Sequence, residues 1–453
     1  MKTKAGQLHY SPGEPTLPAF SDSVAAFTRG EKSPLAYFDA CVANIERFES
    51  SVQAFVHLDL ASARAAAEAS AARYAAGKPL SHIDGMPVAV KDIIDTADMP
   101  TQMNSPLFTG HRPQFDAASV AALRAAGAVI LGKSVTTEFA AGRSGPTRNP
   151  YDHARTPGGS SSGSAAGVAA GMIPAALGTQ TQSSIVRPSS YCGVFGWKPS
   201  HGQLPMEGIA PLSWTLDHLG TIAQHPQDAW SVAQVIGGVQ GGATAPEARA
   251  PSRLVTLQMA GWPETCDATR AIYANALAAL RARGIQIVDR GEPAVEALEL
   301  QLVQAAEDAF KIFVWESRIS FQAYAARGVH LLGERVQGLM TVARGMTSAD
   351  HQAALDRRAR LIDSARQLAR NADGFVSLAS SGPAPVGLES TGSRLFAVGW
   401  TVVGGPSCSV PVLAQDGLPL GMQLMGAPLE DSTLFAHACW LCSQTLIDAE
   451  TNS

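Results

Sequence analysis

The chain lacks the sequence features of several protein classes. Its 453 residues include only six cysteines, at positions 41, 192, 266, 408, 439 and 442, which are too few and too scattered for a disulfide framework. No apolar stretch reaches the 18 residues of a membrane-spanning helix, and residues 1–20 contain no apolar segment typical of a secretory signal. These absences predict a cytoplasmic protein with no membrane partner.

Charge is also scarce. Only 16% of the residues are charged, the net charge is -5, and no acidic or basic run is long enough to form a tail. A protein that binds nucleic acid usually carries a basic surface, so we expect no nucleic-acid partner. Because 46% of the residues are hydrophobic, the chain can bury a large core.

A pair of cysteines, Cys439 and Cys442, has the spacing of a zinc or redox motif. It lies in an apparently helical segment, residues 432–447, and no second pair of ligands accompanies it. The pattern therefore favours buried helical cysteines, and we expect no metal and no cofactor.

Hydrophobic periodicity predicts helices that alternate with strands. The predicted helices cover residues 22–48, 59–76, 117–126, 164–171, 267–283, 307–327 and 349–371, and the predicted strands cover residues 87–90 and 128–131. Such alternation predicts an α/β fold with a large, mixed but mostly parallel central sheet and helices on both faces. Residues 1–20 are interpreted as an N-terminal extension and residues 21–453 as a single domain, in which residues 238–370 form a more variable helical region that shapes the substrate pocket.

Two serine-bearing loops carry the strongest chemical signal. The first, residues 157–164, reads PGGSSSGS, and the second, residues 178–188, reads GTQTQSSIVRP. Serine is a weak nucleophile unless a base lies nearby, and its reaction with a carbonyl needs backbone donors for the oxyanion. Glycine-rich turns can supply those donors.

A candidate base is Lys91, which follows the apolar run Val88–Val90 of a predicted buried strand. Burial disfavours the charged form of a lysine and lowers its pKa, so that the neutral amine can accept a proton. The alternative is a lysine whose ammonium group reaches water.

Together these three segments resemble the amidase signature family over nearly the whole chain. In that family the lysine follows a Gly-x-Pro-Val-x-Val strand, one serine lies in a Gly-Gly-Ser-Ser-Gly-Gly loop, and the nucleophile ends a Gly-Thr-Asp-x-Gly-Gly-Ser loop. Matching motif to motif gives Lys91, Ser160 and Ser184. The separation 184 − 160 = 24 selects Ser184 over Ser183.

The resemblance implies a Ser-Ser-Lys triad and an acyl-enzyme. Ser184 would attack the amide carbonyl, Ser160 would relay the proton, and neutral Lys91 would act as the base. The family also places a cis peptide bond before the middle serine, here between residues 159 and 160. The backbone N–H groups of Thr181, Gln182, Ser183 and Ser184 would form the oxyanion hole.

The nucleophile loop departs from the family pattern at three positions. Gln182 and Ser183 replace two glycines, and Gln180 replaces an aspartate. Because residues with a side chain resist positive φ, the loop must either keep negative φ or be strained. We interpret these as changes to the shape of the pocket.

Arg187 falls one position later than in most members of the family. This shift is similar to malonamidase-type members, in which the arginine binds a substrate carboxylate through its planar guanidinium. The alternative is a structural arginine that pairs with an acid or caps carbonyl groups. The hypothesis is a small amide with a second polar or anionic group.

The resemblance leaves other functions open. The family includes the amidase subunit of tRNA-dependent amidotransferases, as well as enzymes that act on ureido, carbamoyl or aryl amide substrates. A nucleotide-phosphate loop is disfavoured, because residues 158–167 lack the Gly-Lys-Ser/Thr ending. The predicted partners are a small-molecule amide and, at most, a second copy of the chain in a homodimer.

Overall fold

The computed structural model of the protein describes residues 7–239, 244–444 and 446. Its centre is a single 11-stranded sheet. The strands are β1 (Phe55–Leu58), β2 (Pro87–Lys91), β3 (Val129–Ser134), β4 (Ala175–Gln180), β5 (Phe195–Lys198), β6 (His218–Ala223), β7 (Arg253–Thr256), β8 (Gln286–Val288), β9 (Phe375–Leu378), β10 (Ser407–Gln415) and β11 (Leu418–Met425). Their spatial order is β1-β3-β2-β4-β6-β5-β10-β11-β9-β7-β8.

The prediction of a mostly parallel sheet is wrong. Among the described strands, the pairs β2–β3, β2–β4, β7–β8 and β7–β9 are parallel, whereas the pairs β1–β3, β4–β6, β5–β6, β5–β10, β10–β11 and β9–β11 are antiparallel. A two-residue turn explains the central hairpin: Asp416 and Gly417 both have positive φ, 53° and 72°, as the tight turns between antiparallel strands require. The Asp-Gly pair is thus a sequence signal for an antiparallel connection.

Alternate residues of β2 belong to two separate hydrophobic clusters, Val88 and Val90 to one and Ala89 to the other, so helices cover both faces of this sheet, as predicted. They are α1 (Phe20–Thr28), α2 (Pro34–Val52), α3 (Leu60–Ala75), α4 (Ala118–Ala125), α5 (Ser162–Ala169), α6 (Val186–Tyr191), α7 (Pro226–Ile236), α8 (Asp267–Ala282), α9 (Pro293–Gly328), α10 (Glu334–Arg344), α11 (Ser348–Ala369), α12 (Val398–Val403) and α13 (Asp431–Cys442).

The prediction of one helix over residues 22–48 is wrong, because two helices, α1 and α2, occupy this stretch. The chain turns at Gly30, which has a φ of 70°, and α2 starts afresh with Ser33 as its N-cap and Pro34 in its first turn. Proline is well tolerated there, since the first N–H groups of a helix have no partner within the helix. A serine followed by a proline is therefore a start signal inside an otherwise continuous pattern.

Helix α5 packs unusually close to the sheet, because all of its residues are small. A Cβ atom at Gly163 would lie 2.1 Å from the carbonyl oxygen of Ala54 and 2.4 Å from the backbone nitrogen of Val135. Only glycine fits at such a distance. This close approach brings the N-terminal end of α5, and the serines before it, against the end of β2.

The two cysteines of the CxxC pair lie on helix α13, as predicted. Cys439 is buried and Cys442 is partly buried, and residue 447, the end of the predicted helix, lies outside the described residues. No group of three or more His, Cys, Asp or Glu side chains within the described ranges is arranged to hold a metal ion. None of the helices described combines the length and apolar character needed to cross a membrane.

Residues 7–19, in the predicted N-terminal extension, lie against the body of the protein. Tyr10 is buried, packs edge-on against Tyr151 with 5.3 Å between the ring centroids, and donates a hydrogen bond to the carbonyl of Pro411. Helices α8 to α11 fall in the predicted variable region. The division of the chain into domains stays a prediction.

Candidate active site

The two serine loops and the lysine meet at the ends of β2 and β4. Lys91 is the last residue of β2 and Gln180 is the last residue of β4. The two strands are parallel neighbours, so their carboxyl ends lie at the same edge of the sheet, where α/β folds commonly place ligands. Ser160 precedes α5, and its peptide bond to Gly159 is cis, as the resemblance implied.

Lys91 is fully buried and surrounded by hydroxyl groups. Its Nζ lies 2.7 Å from Ser160 Oγ, 3.0 Å from Ser161 Oγ and 2.8 Å from Thr179 Oγ1. No carboxylate in the described part of the chain forms an ion pair with it. The alternative in which the ammonium reaches water does not hold, since the side chain has no exposed surface.

Burial lowers the pKa of Lys91 well below its ordinary value of 10.5, and the negative charge of Asp217 opposes this shift. An ammonium group loses its hydration when it is buried, and hydrogen bonds to neutral hydroxyl groups compensate for this loss only in part. The neutral amine is therefore favoured. A neutral amine 2.7 Å from a serine hydroxyl can accept its proton.

Ser184 lies in a loop that is held from both sides. The side-chain oxygen of Gln180 accepts hydrogen bonds from the backbone N–H groups of Ile185, at 2.8 Å, and Val186, at 3.0 Å. Its side-chain nitrogen donates to Thr401 Oγ1 at 2.9 Å. Gln180 thus caps the N–H groups just after the nucleophile loop, which a carboxylate at this position could also do.

The replaced glycines do not strain this loop. Neither Gln182 nor Ser183 has a positive φ, so of the two alternatives the loop keeps negative φ. Thr401 Oγ1 also donates to the carbonyl oxygen of Gln182 at 2.7 Å. The backbone N–H of Ser161 donates to the carbonyl oxygen of Ser184 at 3.4 Å, which ties the two serine loops together.

Asp217 supports the start of the same loop. Its carboxylate accepts hydrogen bonds from Thr181 Oγ1 at 2.6 Å and from the backbone N–H groups of Leu212 and Ser213 at 2.8 and 2.9 Å. Burial raises the pKa of Asp217 to about 6 in spite of these bonds. Its neighbour His218 is buried, with its Nδ1 2.7 Å from the carbonyl oxygen of Leu216.

A cavity of about 430 Å³ opens in front of the serines. Its lining includes Ser160, Ser184, the loop residues Thr181, Gln182 and Ser183, and Arg187. Every predicted site residue except Lys91 thus reaches the cavity, and Lys91 lies behind Ser160. Both serines are thus open to the cavity, whereas the lysine is linked to it through its contact with Ser160.

Arg187 is buried at the wall of the cavity without a counter-ion. Its guanidinium donates to the backbone carbonyls of Gly159 and Gly392 and to Thr391 Oγ1, while its Nε is buried and has no hydrogen-bond partner among the described residues. No carboxylate in the described ranges lies within ion-pair distance. Burial lowers the pKa of Arg187 to about 10. The side chain thus caps carbonyl groups, as the structural alternative holds, and also brings an uncompensated positive charge to the cavity.

Several residues of the cavity were not anticipated from the sequence. They include Phe313 of α9, Arg335 of α10, Glu264 and the segment 390–395, which contains Arg394. Phe313 lies in the helix predicted over residues 307–327. It is buried, yet it also contributes to the cavity wall. The arginines carry no local motif, so their convergence is visible only in three dimensions.

Comparison with known proteins gives full-length relatives. The chain is 31% identical to a glutamyl-tRNA(Gln) amidotransferase subunit of Chloroflexus aggregans, over 94% of this chain and 95% of that protein. A crystal structure of an amidase superposes with a TM-score of 0.84 and 26% identity, over 94% of this chain and 99% of that one. The peptide amidase of Stenotrophomonas maltophilia gives a TM-score of 0.72 and 27% identity, over 95% and 97% of the two chains.

These relatives correct the prediction about partners. The sequence predicted a small-molecule amide as the partner, with no nucleic acid and at most a homodimer. The exclusion of nucleic acid and of any protein partner beyond a second copy of the chain is wrong, because full-length relatives are named as subunits of a glutamyl-tRNA(Gln) amidotransferase.

The family itself is shown by a match along most of the chain. The sequence model of the Amidase family matches residues 36–435, a range that contains the lysine, both serine loops and all strands of the sheet. The superposition with solved amidases covers the same architecture. The chain therefore belongs to the Amidase family, the amidase signature enzymes, and is an amide-hydrolysing enzyme.

Proposed function

We propose that the chain cleaves the C–N bond of a carboxylic amide through an acyl-enzyme on Ser184. One observation carries this proposal: the Nζ of Lys91 lies 2.7 Å from Ser160 Oγ, buried and without a carboxylate partner, while Ser160 and Ser184 line one cavity. A lysine that is buried in this way favours its neutral form and can serve as a base near neutral pH.

The reaction follows from this order of groups. Neutral Lys91 takes the proton of Ser160 while Ser160 takes the proton of Ser184, and Ser184 Oγ bonds to the carbonyl carbon. The C–N bond then breaks as Ser160 returns a proton to the leaving nitrogen and Lys91 gives up its proton to Ser160. Water, deprotonated along the same path, cleaves the ester and restores Ser184.

The oxyanion of the tetrahedral intermediate would lie against the backbone N–H groups of residues 181–184. The N–H groups of Gln182, Ser183 and Ser184 donate to no other group in the described part of the chain, so they are free to bind an oxygen in the cavity. The loss of one such donor typically lowers the rate by about a hundredfold or more.

The nucleophile is tested by paired substitutions of adjacent serines. Ser184→Ala should abolish ammonia release from a panel of malonamate, benzamide, indoleacetamide, ureido compounds and long-chain amides. Ser183→Ala, a matched control one residue away, should retain most of the turnover. Activity that survives in Ser184→Ala and disappears in Ser183→Ala would show that the motif alignment is displaced by one residue.

Arg187 points to an amide with a second, anionic group. Its buried guanidinium has no carboxylate partner, and an anionic substrate group would supply one. Arg187→Leu should raise the KM for malonamate far more than the KM for a neutral amide such as benzamide. Equal changes for both substrates would assign the arginine a purely structural role.

A second candidate is the amide-hydrolysing subunit of a tRNA-dependent amidotransferase. The observation that favours it is the similarity along 94% of the chain to a protein named as a subunit of such an enzyme, which supports this candidate better than a specialised malonamidase. The test is to substitute the chain for its homologous subunit in the Chloroflexus aggregans enzyme and measure amidation of glutamyl-tRNA(Gln). Glutamine hydrolysis that rises when the other subunits are added would support the candidate, whereas the absence of both activities would exclude it.

A further inference from the structure

Three arginines meet at the cavity, although the mechanism uses none of them. Arg187 lies in α6, Arg335 in the first turn of α10, and Arg394 in the segment that precedes α12, and all three contribute to the cavity lining. The positive charges of Arg335 and Arg394 both lower the pKa of Arg187. The positive charge of Arg335 also lowers the pKa of Arg394. The three guanidinium groups are therefore close enough to repel one another.

In the described part of the chain, neither Arg335 nor Arg394 has a partner that would give it a structural role. No ion pair and no side-chain hydrogen bond is formed by Arg335 or Arg394 within the described ranges, and the Nε of Arg394 is buried without a partner. Arg394 packs over the ring of Phe310, with 5.7 Å between its Cζ and the ring centroid. Arg335 stands in the first turn of a helix, where the helix dipole disfavours a positive charge.

The cavity offers little negative charge to balance these groups. Among the described residues of its lining, the sole carboxylate is Glu264, which is exposed and forms no ion pair with any of the three arginines. An assembly of like charges without counter-ions destabilises the unliganded protein, and a bound anion relieves that repulsion.

We propose that Arg335, which is exposed, and Arg394, which is partly buried, form a second anion-binding subsite on the solvent side of the buried Arg187, so that the preferred substrate is an amide with two separate anionic groups. This inference rests on the proposed amidase function. One anionic group would bind Arg187 beside the nucleophile loop, and the other would bind the outer pair. The same charges disfavour substrates whose second group is an ammonium.

Direct binding of dicarboxylates tests the subsite independently of turnover. Calorimetry on the wild-type protein would compare malonate, glutarate and adipate with monocarboxylates of the same carbon number. One charge-assisted pair is worth about a tenfold change in affinity, so the best dicarboxylate should bind about tenfold more tightly than its monocarboxylate counterpart. Arg335→Gln and Arg394→Gln should each remove most of that advantage.

A matched control removes an arginine from the same helix but not from the cavity. Arg344, in the last turn of α10, is exposed and does not line the cavity, so Arg344→Gln should keep the full preference for dicarboxylates. Equal affinity of wild-type protein for dicarboxylates and monocarboxylates, or an unchanged preference in both cavity variants, would overturn the subsite. Selective dicarboxylate binding by a protein that hydrolyses no amide would instead overturn the proposed function and leave the subsite standing.

Discussion

Replacing Lys91 by methionine should abolish most turnover while leaving the fold intact. Methionine has a similar length and no basic group, so Ser160 would lose the amine that lies 2.7 Å from its Oγ. Loss of a positioned base typically lowers a rate by about 10²- to 10⁴-fold, which corresponds to about 3–5 kcal/mol of transition-state stabilisation. We expect kcat at pH 7 to fall within this range.

The same substitution should not destabilise the protein. The lowered pKa of Lys91 means that its protonated form is disfavoured in the folded state. At pH values below the pKa that the lysine has in the unfolded chain, the residue therefore lowers the free energy of unfolding. This loss disappears as the pH rises from the pKa in the folded state to the pKa in the unfolded state. Methionine titrates nowhere in this range. At pH 7 the free energy of unfolding of Lys91→Met should therefore equal or exceed that of the wild-type protein.

The measurement combines ammonia release with thermal unfolding. For the wild-type protein, kcat/KM should increase as the pH rises through the lowered pKa of Lys91 and then reach a plateau, because only the neutral amine is active. The residual activity of Lys91→Met should lack this step. A matched control is Lys198→Met, since Lys198 is equally buried, donates to the carbonyls of Pro199 and Gly405 and lies outside the cavity lining. A correctly folded Lys91→Met protein with near-normal kcat would refute the role of the lysine as base.

Three further changes test the surroundings of the site. Gln180→Leu leaves the backbone N–H groups of Ile185 and Val186 without an acceptor, so the free energy of unfolding, measured by denaturant titration, should fall by about 2–4 kcal/mol, and an unchanged midpoint would contradict the capping role. Asp217→Asn removes the negative charge that partly opposes the lowering of the Lys91 pKa, so that pKa should fall further and the acidic limb of the kcat/KM profile should move to lower pH. A move to higher pH would refute the assignment of this limb to Lys91. Gly163→Ala places a methyl group against a backbone carbonyl and should lower the melting temperature through a loss of about 2–3 kcal/mol, whereas Gly338→Ala, at a position with open space, should not.

The sequence predicted the chemical groups better than the architecture around them. Lys91, Ser160 and Ser184 each lie in a short motif, and the structure brings the lysine and the middle serine into contact and both serines to one cavity. Their roles as base, relay and nucleophile stay predictions. Strand direction was predicted less well, because it depends on how a connection crosses the sheet, which local periodicity does not record.

The arginines around the cavity show a second limit of prediction from sequence. Arg187 lies beside the nucleophile motif and could be singled out, whereas Arg335 and Arg394 belong to segments far away in the chain and have no motif of their own. The role of Gln180 was hidden for a related reason. Its replacement of an aspartate was visible in the sequence, but the two N–H groups that it caps were not.

The enclosure of Lys91 has a chemical consequence beyond its basicity. A lysine with a lowered pKa would ordinarily be the most reactive amine of a protein towards acylating and carbonyl reagents, because more of it is unprotonated. Here Lys91 has no exposed surface, and its Nζ contacts Ser160, which lines the cavity in its place. The fold therefore gives Lys91 the ability to accept a proton without exposing its amine to electrophiles in solution. In the proposed mechanism the amine of Lys91 therefore stays unacylated, and Ser184 at the cavity wall receives the acyl group.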